Sequence, residues 1–169
     1  VISQGFRDNL LEKGVPASKI QVISNWADTA QYRPVERSRQ LAEELGLENR
    51  FTLMYAGTIG LAQGLEVVVE AATLLRDDPR VQFVLVGDGL DLPKLQAMAS
   101  ERGLSNIRFL GRRPSAQMPE LYALADALFV HLRDDPLFRL TVPHKVFAYL
   151  ASGKPILAAM GGDVAALVD

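Results

Sequence analysis

The segment 141–159 combines a basic residue, a helix start and a helix stop in a pattern that suits anion binding. Pro143 fits the first position of a helix, and Gly153 fits the point where that helix ends. The backbone amides of His144 and Lys145 would then lie unpaired at a helix N-terminus, and the Lys145 side chain adds positive charge in the same turn. These residue types predict a phosphate site.

A glycine-rich turn offers a second place where an anion could bind. Gly57, Gly60 and Gly64 follow an apolar run of strand length, and a helical pattern opens near Gln63. Glycine lets the backbone approach a ligand closely, and the dipole of the following helix favours an anion. The spacing matches neither the dinucleotide fingerprint nor a Walker loop, so a plain turn in an α/β protein explains it about as well.

Two further loops follow apolar runs. The segment Gly87-Asp88-Gly89 fits a turn that needs glycine for its geometry alone, although its backbone could line a cleft. In Gly111-Arg112-Arg113 the arginines could meet phosphate, but solvated surface arginines are slightly more common, so the backbone is the better candidate for contacting a base. His131 and the aspartates at 134 and 135 fit structural roles, and no mechanism is built on them.

The elements that must position these loops follow from the hydrophobic pattern. Five apolar runs of strand length occur at 51–56, 81–86, 107–110, 127–131 and 155–159. Helical patterns lie between them at 64–76, 93–102, 115–125 and 143–152. A short helix at 6–13, an extended segment at 20–24 and a helix at 36–45 precede the first strand. This alternation predicts an α/β fold, a doubly wound, Rossmann-like parallel sheet with ligands at the carboxyl ends of its strands.

Composition limits the classes of function. The chain of 169 residues is 49% hydrophobic, enough for one sizeable core, and its net charge of −2 argues against nucleic acid as a partner. It has no cysteine and two histidines, so we expect no metal site, and the absence of cysteine fits a reducing cytoplasm. Its apolar runs are too short to span a bilayer.

Taken together, these segments resemble the C-terminal, nucleotide-sugar-binding domain of retaining family 4 glycosyltransferases, which have two Rossmann-like domains. The matching segments are Ile23-Ser-Asn25-Trp-Ala-Asp28, Tyr32-Arg-Pro34, Tyr55-Ala-Gly57, Gln63-Gly64-Leu65, Ala71-Ala72, Val84-Leu-Val-Gly87-Asp-Gly89, Phe109-Leu-Gly111-Arg112, Ala125-Asp126 and Ala151-Ser-Gly153-Lys-Pro155. The resemblance is closest to bacterial enzymes that build surface polysaccharides such as capsule, O-antigen and lipopolysaccharide.

The resemblance implies transfer of a sugar from a nucleoside diphosphate sugar, with UDP as the default, to a glycan or lipid-linked acceptor with retention of configuration. The implied diphosphate-binding residues are Gly57, Thr58, Gly60, Gln63, Gly64, His144 and Lys145. The implied base-binding residues are Gly111, Arg112 and Arg113. The implied cleft-lining residues are Gly87, Asp88, Gly89, Thr141, Val142 and Pro143. No cofactor or metal is implied, and no catalytic residue is assigned.

The chain departs from the family pattern at four positions. Thr58 and Gln63 stand where many members have an arginine and a lysine that bind the diphosphate. Leu140 and Ala148 stand where many members have glutamates near the transferred sugar and the ribose. A non-catalytic Rossmann-like module that binds a nucleotide or sugar therefore remains the alternative, and a related epimerase has less residue support.

The resemblance also suggests how the chain is divided. Residues 1–30 are expected to be the end of a missing N-terminal domain plus a hinge, and residues 31–169 the nucleotide-sugar-binding domain, truncated at its C-terminus. The missing domain would bind the acceptor, so the fragment alone would transfer nothing. The full-length protein is expected in the cytoplasm, with peripheral attachment to the inner face of the plasma membrane.

Overall fold

A five-stranded, all-parallel sheet forms the centre of the computed structural model, which describes residues 1–168. The strands are β1 (Phe51–Ala56), β2 (Val81–Val86), β3 (Ile107–Gly111), β4 (Ala127–His131) and β5 (Ile156–Ala159). Their order is β3-β2-β1-β4-β5, so the direction of winding reverses between β1 and β4. The predicted doubly wound, Rossmann-like fold is confirmed.

Eight α-helices occur within the described residues 1–168. They are α1 (Gln4–Glu12), α2 (Arg39–Leu45), α3 (Glu66–Leu74), α4 (Leu92–Glu101), α5 (Met118–Leu124), α6 (Pro136–Arg139), α7 (His144–Ala151) and α8 (Ala165–Val168). The one-turn helix α6 was not predicted, because four residues are too few to show a helical period. None of these helices is long and apolar enough to cross a membrane.

Two helices begin later than predicted because short 3₁₀ turns precede them. Leu61–Gln63 forms such a turn before α3, and Ser115–Gln117 forms another before α5. Ser115, which could cap a helix by its residue type, begins the second turn, and its side chain makes no capping hydrogen bond. Asp91 does precede α4, but its side chain makes no capping hydrogen bond either.

Each face of the sheet is covered by its own set of helices. On one face, residues of α2, α5 and α7 pack against Met54, Ala56 and Leu128. On the other, α3 and α4 pack against Tyr55 and Phe129. Successive residues of a strand point to opposite faces, so the continuous apolar runs supply both cores at once.

The segment before α2 lies along the loop that leads into α7. The Ser3 hydroxyl donates to the carbonyl of Leu140 at 2.6 Å, and the Asn25 side-chain amide donates to the carbonyl of Val142 at 3.0 Å. The amide of Gly5 donates to the Asp163 carboxylate at 3.0 Å. These hydrogen bonds hold the N-terminal residues against the rest of the chain, and the division at residue 30 stays a prediction.

The turns after β1, β2 and β3 are in direct backbone contact. The Gly57 amide donates to the carbonyl of Val86, and the Gly87 amide donates to the carbonyl of Gly111, each at 2.9 Å. Gly87 has φ +138, and a Cβ there would overlap the Gly57 carbonyl oxygen. Only glycine fits at position 87, because both the backbone angle and the space exclude a side chain.

We predict that Gly87→Ala lowers the free energy of unfolding by about 3 kcal/mol or more, since it adds backbone strain and a clash with another backbone segment. Gly103→Ala is the matched control: Gly103 also has positive φ, but nothing lies within 4 Å of its missing side chain. That variant should lose only about 1 kcal/mol. Urea denaturation measures the free energy of unfolding of both variants. An equal loss in the two variants would contradict the explanation that Gly87 is required by backbone packing.

Candidate functional site

A cleft of about 890 Å³ opens at the carboxyl ends of β1, β2 and β3, beside the N-terminus of α7. Its lining residues are Tyr32, Ala56, Gly57, Thr58, Val86, Gly87, Asp88, Arg112, Arg113, Pro114, Ser115, Met118, Tyr122, His144, Lys145 and Ala148. Parallel α/β sheets bind ligands at this end, near the point where the strand order reverses. The cleft therefore lies where the fold favours a binding site.

The structure brings many of the sequence-predicted site residues together around this cleft. Those that line it are Gly57, Thr58, Gly87, Asp88, Arg112, Arg113, His144 and Lys145. They come from the loops after β1, β2 and β3 and from the first turn of α7, so only the tertiary fold makes them neighbours. Ala148, which stands at one of the usual glutamate positions, also lines the cleft, on α7.

Other predicted site residues lie outside the cleft lining. They are Gly60, Gln63, Gly64, Gly89, Gly111, Thr141, Val142 and Pro143. Within the glycine-rich turn, the Gly60 amide donates to the Gln63 side-chain oxygen at 3.1 Å. A Cβ at Gly64 would lie 2.8 Å from Cγ of Arg133, so this part of the turn is closed by the protein's own contacts. The ligand-binding roles assigned to these residues stay predictions.

Helix α7 starts at His144, one residue later than predicted. Pro143 has φ −61 and ψ 136, an extended conformation, so it is the capping residue and not the first helical residue. The backbone amides of His144 and Lys145 are still in the first turn, where an amide has no partner within the helix. The positive end of the α7 dipole is therefore directed toward the cleft beside Gly57.

The ammonium group of Lys145 is partly buried between Tyr55 and the Gly57 turn at one side of the cleft. Nζ hydrogen-bonds the Tyr55 hydroxyl and lies 3.7 Å from the centre of the Tyr55 ring. A Cβ at Gly57 would lie 2.7 Å from Nζ, so the absence of a side chain there makes room for the lysine. No ion pair among residues 1–168 involves Lys145. Burial lowers the pKa of Lys145 to about 7.

Aromatic residues that the sequence analysis did not assign to a site form part of the cleft. Tyr32 stacks on Tyr122 with ring centres 6.1 Å apart, and both line the cavity. Tyr55 is buried beneath Lys145, and burial raises its pKa. Its position two residues before Gly57 could have identified Tyr55 as a site residue. An aromatic residue in a buried strand, however, usually belongs to the core.

The charges around the cleft favour an anion. Arg112, Arg113 and Lys145 line it, whereas Asp88 is the one acidic residue among the lining residues. The Arg113 guanidinium also donates to the carbonyl of Leu110 at 3.2 Å, which limits its freedom. Among residues 1–168, no three histidine, aspartate or glutamate side chains are grouped to hold a metal ion. The cleft can thus offer an anion backbone amides, one enclosed ammonium and two exposed guanidinium groups.

Comparison with known proteins identifies relatives that match most or all of this chain. Over 132 residues the chain is 36% identical to WcaI of Escherichia coli, a glycosyl transferase named for colanic acid biosynthesis, and the match covers 76% of this chain and 32% of WcaI. It is 29% identical to WbjE of Pseudomonas aeruginosa, named as a glycosyltransferase, with 100% of this chain and 42% of WbjE covered. The chain thus spans about a third to two fifths of these relatives.

A solved structure and a family profile agree with these relatives. HepE from Anabaena, solved with UDP and glucose, superimposes with a TM-score of 0.81 at 24% identity, covering 99% of this chain and 45% of HepE. At that identity the likeness shows the fold. Residues 50–169 match the family described as glycosyl transferases group 1. The match includes all five strands and every residue that lines the cleft except Tyr32. The chain therefore belongs to the glycosyl transferases group 1 family.

Proposed function

We propose that this domain binds the nucleoside diphosphate sugar donor of an enzyme that transfers a sugar to a glycan or lipid-linked acceptor with retention of configuration. The observation that supports this most is the enclosed Lys145 ammonium, which lies against the Gly57 turn at the start of α7 without a carboxylate partner in residues 1–168. An enclosed cation beside a helix N-terminus suits a diphosphate.

The diphosphate would lie between the turn at Gly57 and Thr58 and the first residues of α7. Backbone amides of His144 and Lys145 would donate to phosphate oxygens, and the Lys145 side chain would supply a full charge. Gly57 favours this arrangement because it has no side chain to block the approach. Gly60, Gln63 and Gly64 would act indirectly, through the shape of the turn.

The base would contact the backbone at Gly111 and Arg112, at the far side of the cleft from the Gly57 turn. The stacked rings of Tyr32 and Tyr122 supply an apolar wall there. UDP is the proposed nucleotide, because HepE was solved with UDP and with UDP-glucose. We propose that no metal takes part in donor binding, since Lys145, Arg112 and Arg113 can balance the phosphate charge.

The same groups would assist the chemistry. When the bond between sugar and diphosphate breaks, negative charge builds on the departing phosphate oxygen. Donors already aimed at that oxygen stabilise the transition state more than the bound substrate. Each such donor contributes about 2 to 4 kcal/mol in comparable oxyanion sites. The acceptor would bind to a part of the enzyme that this chain does not include, as the relatives' greater length suggests.

The first prediction of this proposal is that the chain binds UDP and that Lys145→Ala weakens binding about 10- to 100-fold, the loss expected for a hydrogen bond to a charged group. Lys19→Ala, which removes an equal charge from an exposed position outside the cleft, should leave the affinity unchanged. Isothermal titration calorimetry in buffer containing EDTA measures both. No binding of any nucleoside diphosphate at millimolar concentration by the folded chain would contradict the proposal, as would a requirement for metal.

A second prediction follows from the pKa of Lys145, about 7 in the ligand-free protein. Below pH 7 the Lys145 side chain is already protonated, so it can bind the diphosphate without taking up a proton. Above pH 7 binding must first restore the proton, so UDP affinity should fall by up to about tenfold per pH unit. The other ionisable groups that line the cleft are Tyr32, Asp88, Arg112, Arg113, Tyr122 and His144.

Calorimetry at pH 8 in two buffers of different ionisation enthalpy should reveal uptake of close to one proton per UDP bound. Lys145→Met should abolish this uptake, because its side chain does not titrate. If UDP affinity does not change between pH 7 and pH 9, UDP binding is not coupled to protonation of Lys145, and the prediction is wrong.

A third prediction concerns the reaction. A protein that joins this chain to an acceptor-binding domain should transfer the sugar of an α-linked UDP-sugar to give an α-linked product. The NMR coupling constant of the anomeric proton in the product distinguishes an α-linkage from a β-linkage. A β-linked product would contradict retention, and donor binding without any hydrolysis or transfer would favour the non-catalytic module.

A further inference from the structure

We propose that Tyr55 is a positioning residue that holds the Lys145 ammonium against the Gly57 turn before any ligand arrives. For the identity of the ligand this inference rests on the proposed function. The contact between the two side chains is, however, a property of the ligand-free protein and can be tested there. Nothing in the hydrophobic pattern distinguishes Tyr55 from an ordinary core residue of β1.

The Tyr55 hydroxyl connects the lysine to the backbone of the turn. It donates its hydrogen to the carbonyl of Thr58 at 2.6 Å, and it accepts a hydrogen bond from Nζ of Lys145. A phenol has one hydrogen and free lone pairs, so it can make both hydrogen bonds at once. The donation to Thr58 orients the lone pairs toward the ammonium. A single hydroxyl group therefore fixes two parts of the proposed diphosphate site relative to each other.

The Tyr55 ring contributes a second attraction. Nζ lies 3.7 Å from the ring centre, well inside the distance at which an ammonium is attracted to an aromatic face. Tyr55 is 1% exposed, so its ring cannot swing away and the contact is desolvated on that side. An enclosed ammonium loses water and needs replacement partners. Among residues 1–168, Nζ makes its side-chain hydrogen bond and its ring contact with Tyr55.

A neighbouring tyrosine separates this role from ordinary core packing. Tyr149 is fully buried, and its hydroxyl accepts from the amide of Ala56 at 3.0 Å and donates to the carbonyl of the same residue at 3.1 Å. Tyr149 thus stabilises the end of β1, the same strand that holds Tyr55, and its hydroxyl makes no hydrogen bond to Lys145. Removing the Tyr149 hydroxyl takes a partner from Ala56 in β1, and removing the Tyr55 hydroxyl takes one from the Thr58 carbonyl in the turn. Only the Tyr55 change also removes a hydrogen bond to Lys145.

The ionisable groups that contact Lys145 or line the same cleft come from several elements of the fold. They are Tyr55 on β1, Asp88 after β2, Arg112 and Arg113 after β3, Tyr122 on α5, His144 on α7, and Tyr32 before α2. Tyr55→Phe changes none of these charges and keeps the ring, so it isolates the hydroxyl.

The first experiment measures the pKa of Lys145 by NMR in the ligand-free protein, with isotope-labelled lysine and Lys145→Ala to assign the signal. The hydroxyl accepts a hydrogen bond from the charged form, so Tyr55→Phe should lower the pKa of Lys145 by about one unit. Tyr149→Phe should leave that pKa unchanged while lowering the stability of the fold. An unchanged Lys145 titration in a folded Tyr55→Phe protein would overturn the proposal.

The second experiment is a double-mutant cycle on UDP affinity at pH 7.5. Tyr55→Phe should weaken UDP binding about tenfold when Lys145 is present and have almost no effect in the Lys145→Ala background. Equal weakening in both backgrounds would assign Tyr55 to core packing and overturn the proposal. If the parent chain binds no UDP at all, the proposed function fails, while the NMR titration still decides whether Tyr55 holds the lysine.

Discussion

Close backbone contact between the turns after β1 and β2 is the constraint on which the cleft depends. The Gly57 amide bonds to the end of β2, and Gly87 lies so near the Gly57 carbonyl that no side chain fits between them. On its other side, Gly57 faces the Lys145 ammonium. Two missing side chains therefore let a strand turn and a helix start approach the same peptide from two directions.

The electrostatic character of the cleft follows from this packing. An enclosed ammonium without an ion-pair partner among residues 1–168 is costly, and its burial lowers the pKa of Lys145 to about 7. A ligand with two phosphate groups would remove that cost by supplying the missing negative charge. The exposed Arg112 and Arg113 differ, since water already solvates them and a ligand gains less from meeting them. The cleft is thus arranged so that its most enclosed charge lies beside a backbone segment that has no side chain.

The positions of the cleft residues were predictable to different degrees. The ends of the predicted strands and the glycine turns after them predicted that Gly57, Gly87 and Arg112 lie close together, because the carboxyl ends of parallel strands lie at one edge of a sheet. The extent of the diphosphate turn was not predictable. Gly64 has the residue type of a phosphate loop, yet its space is filled by the side chain of Arg133, which lies far away in the chain. The start of α7 differed by one residue because Pro143 adopts an extended ψ.

The sequence by itself determined the fold class, because apolar runs of strand length alternating with helical periods leave few other packings. It also determined which loops carry glycine and basic residues. Only the tertiary structure decided that Lys145 lies on Tyr55, a residue ninety positions earlier in the chain. Periodicity tells which face of a strand is buried, but the partner of a buried group depends on how separate elements pack across the sheet. A hydroxyl beneath an ammonium is therefore visible only after folding has brought β1 and α7 together.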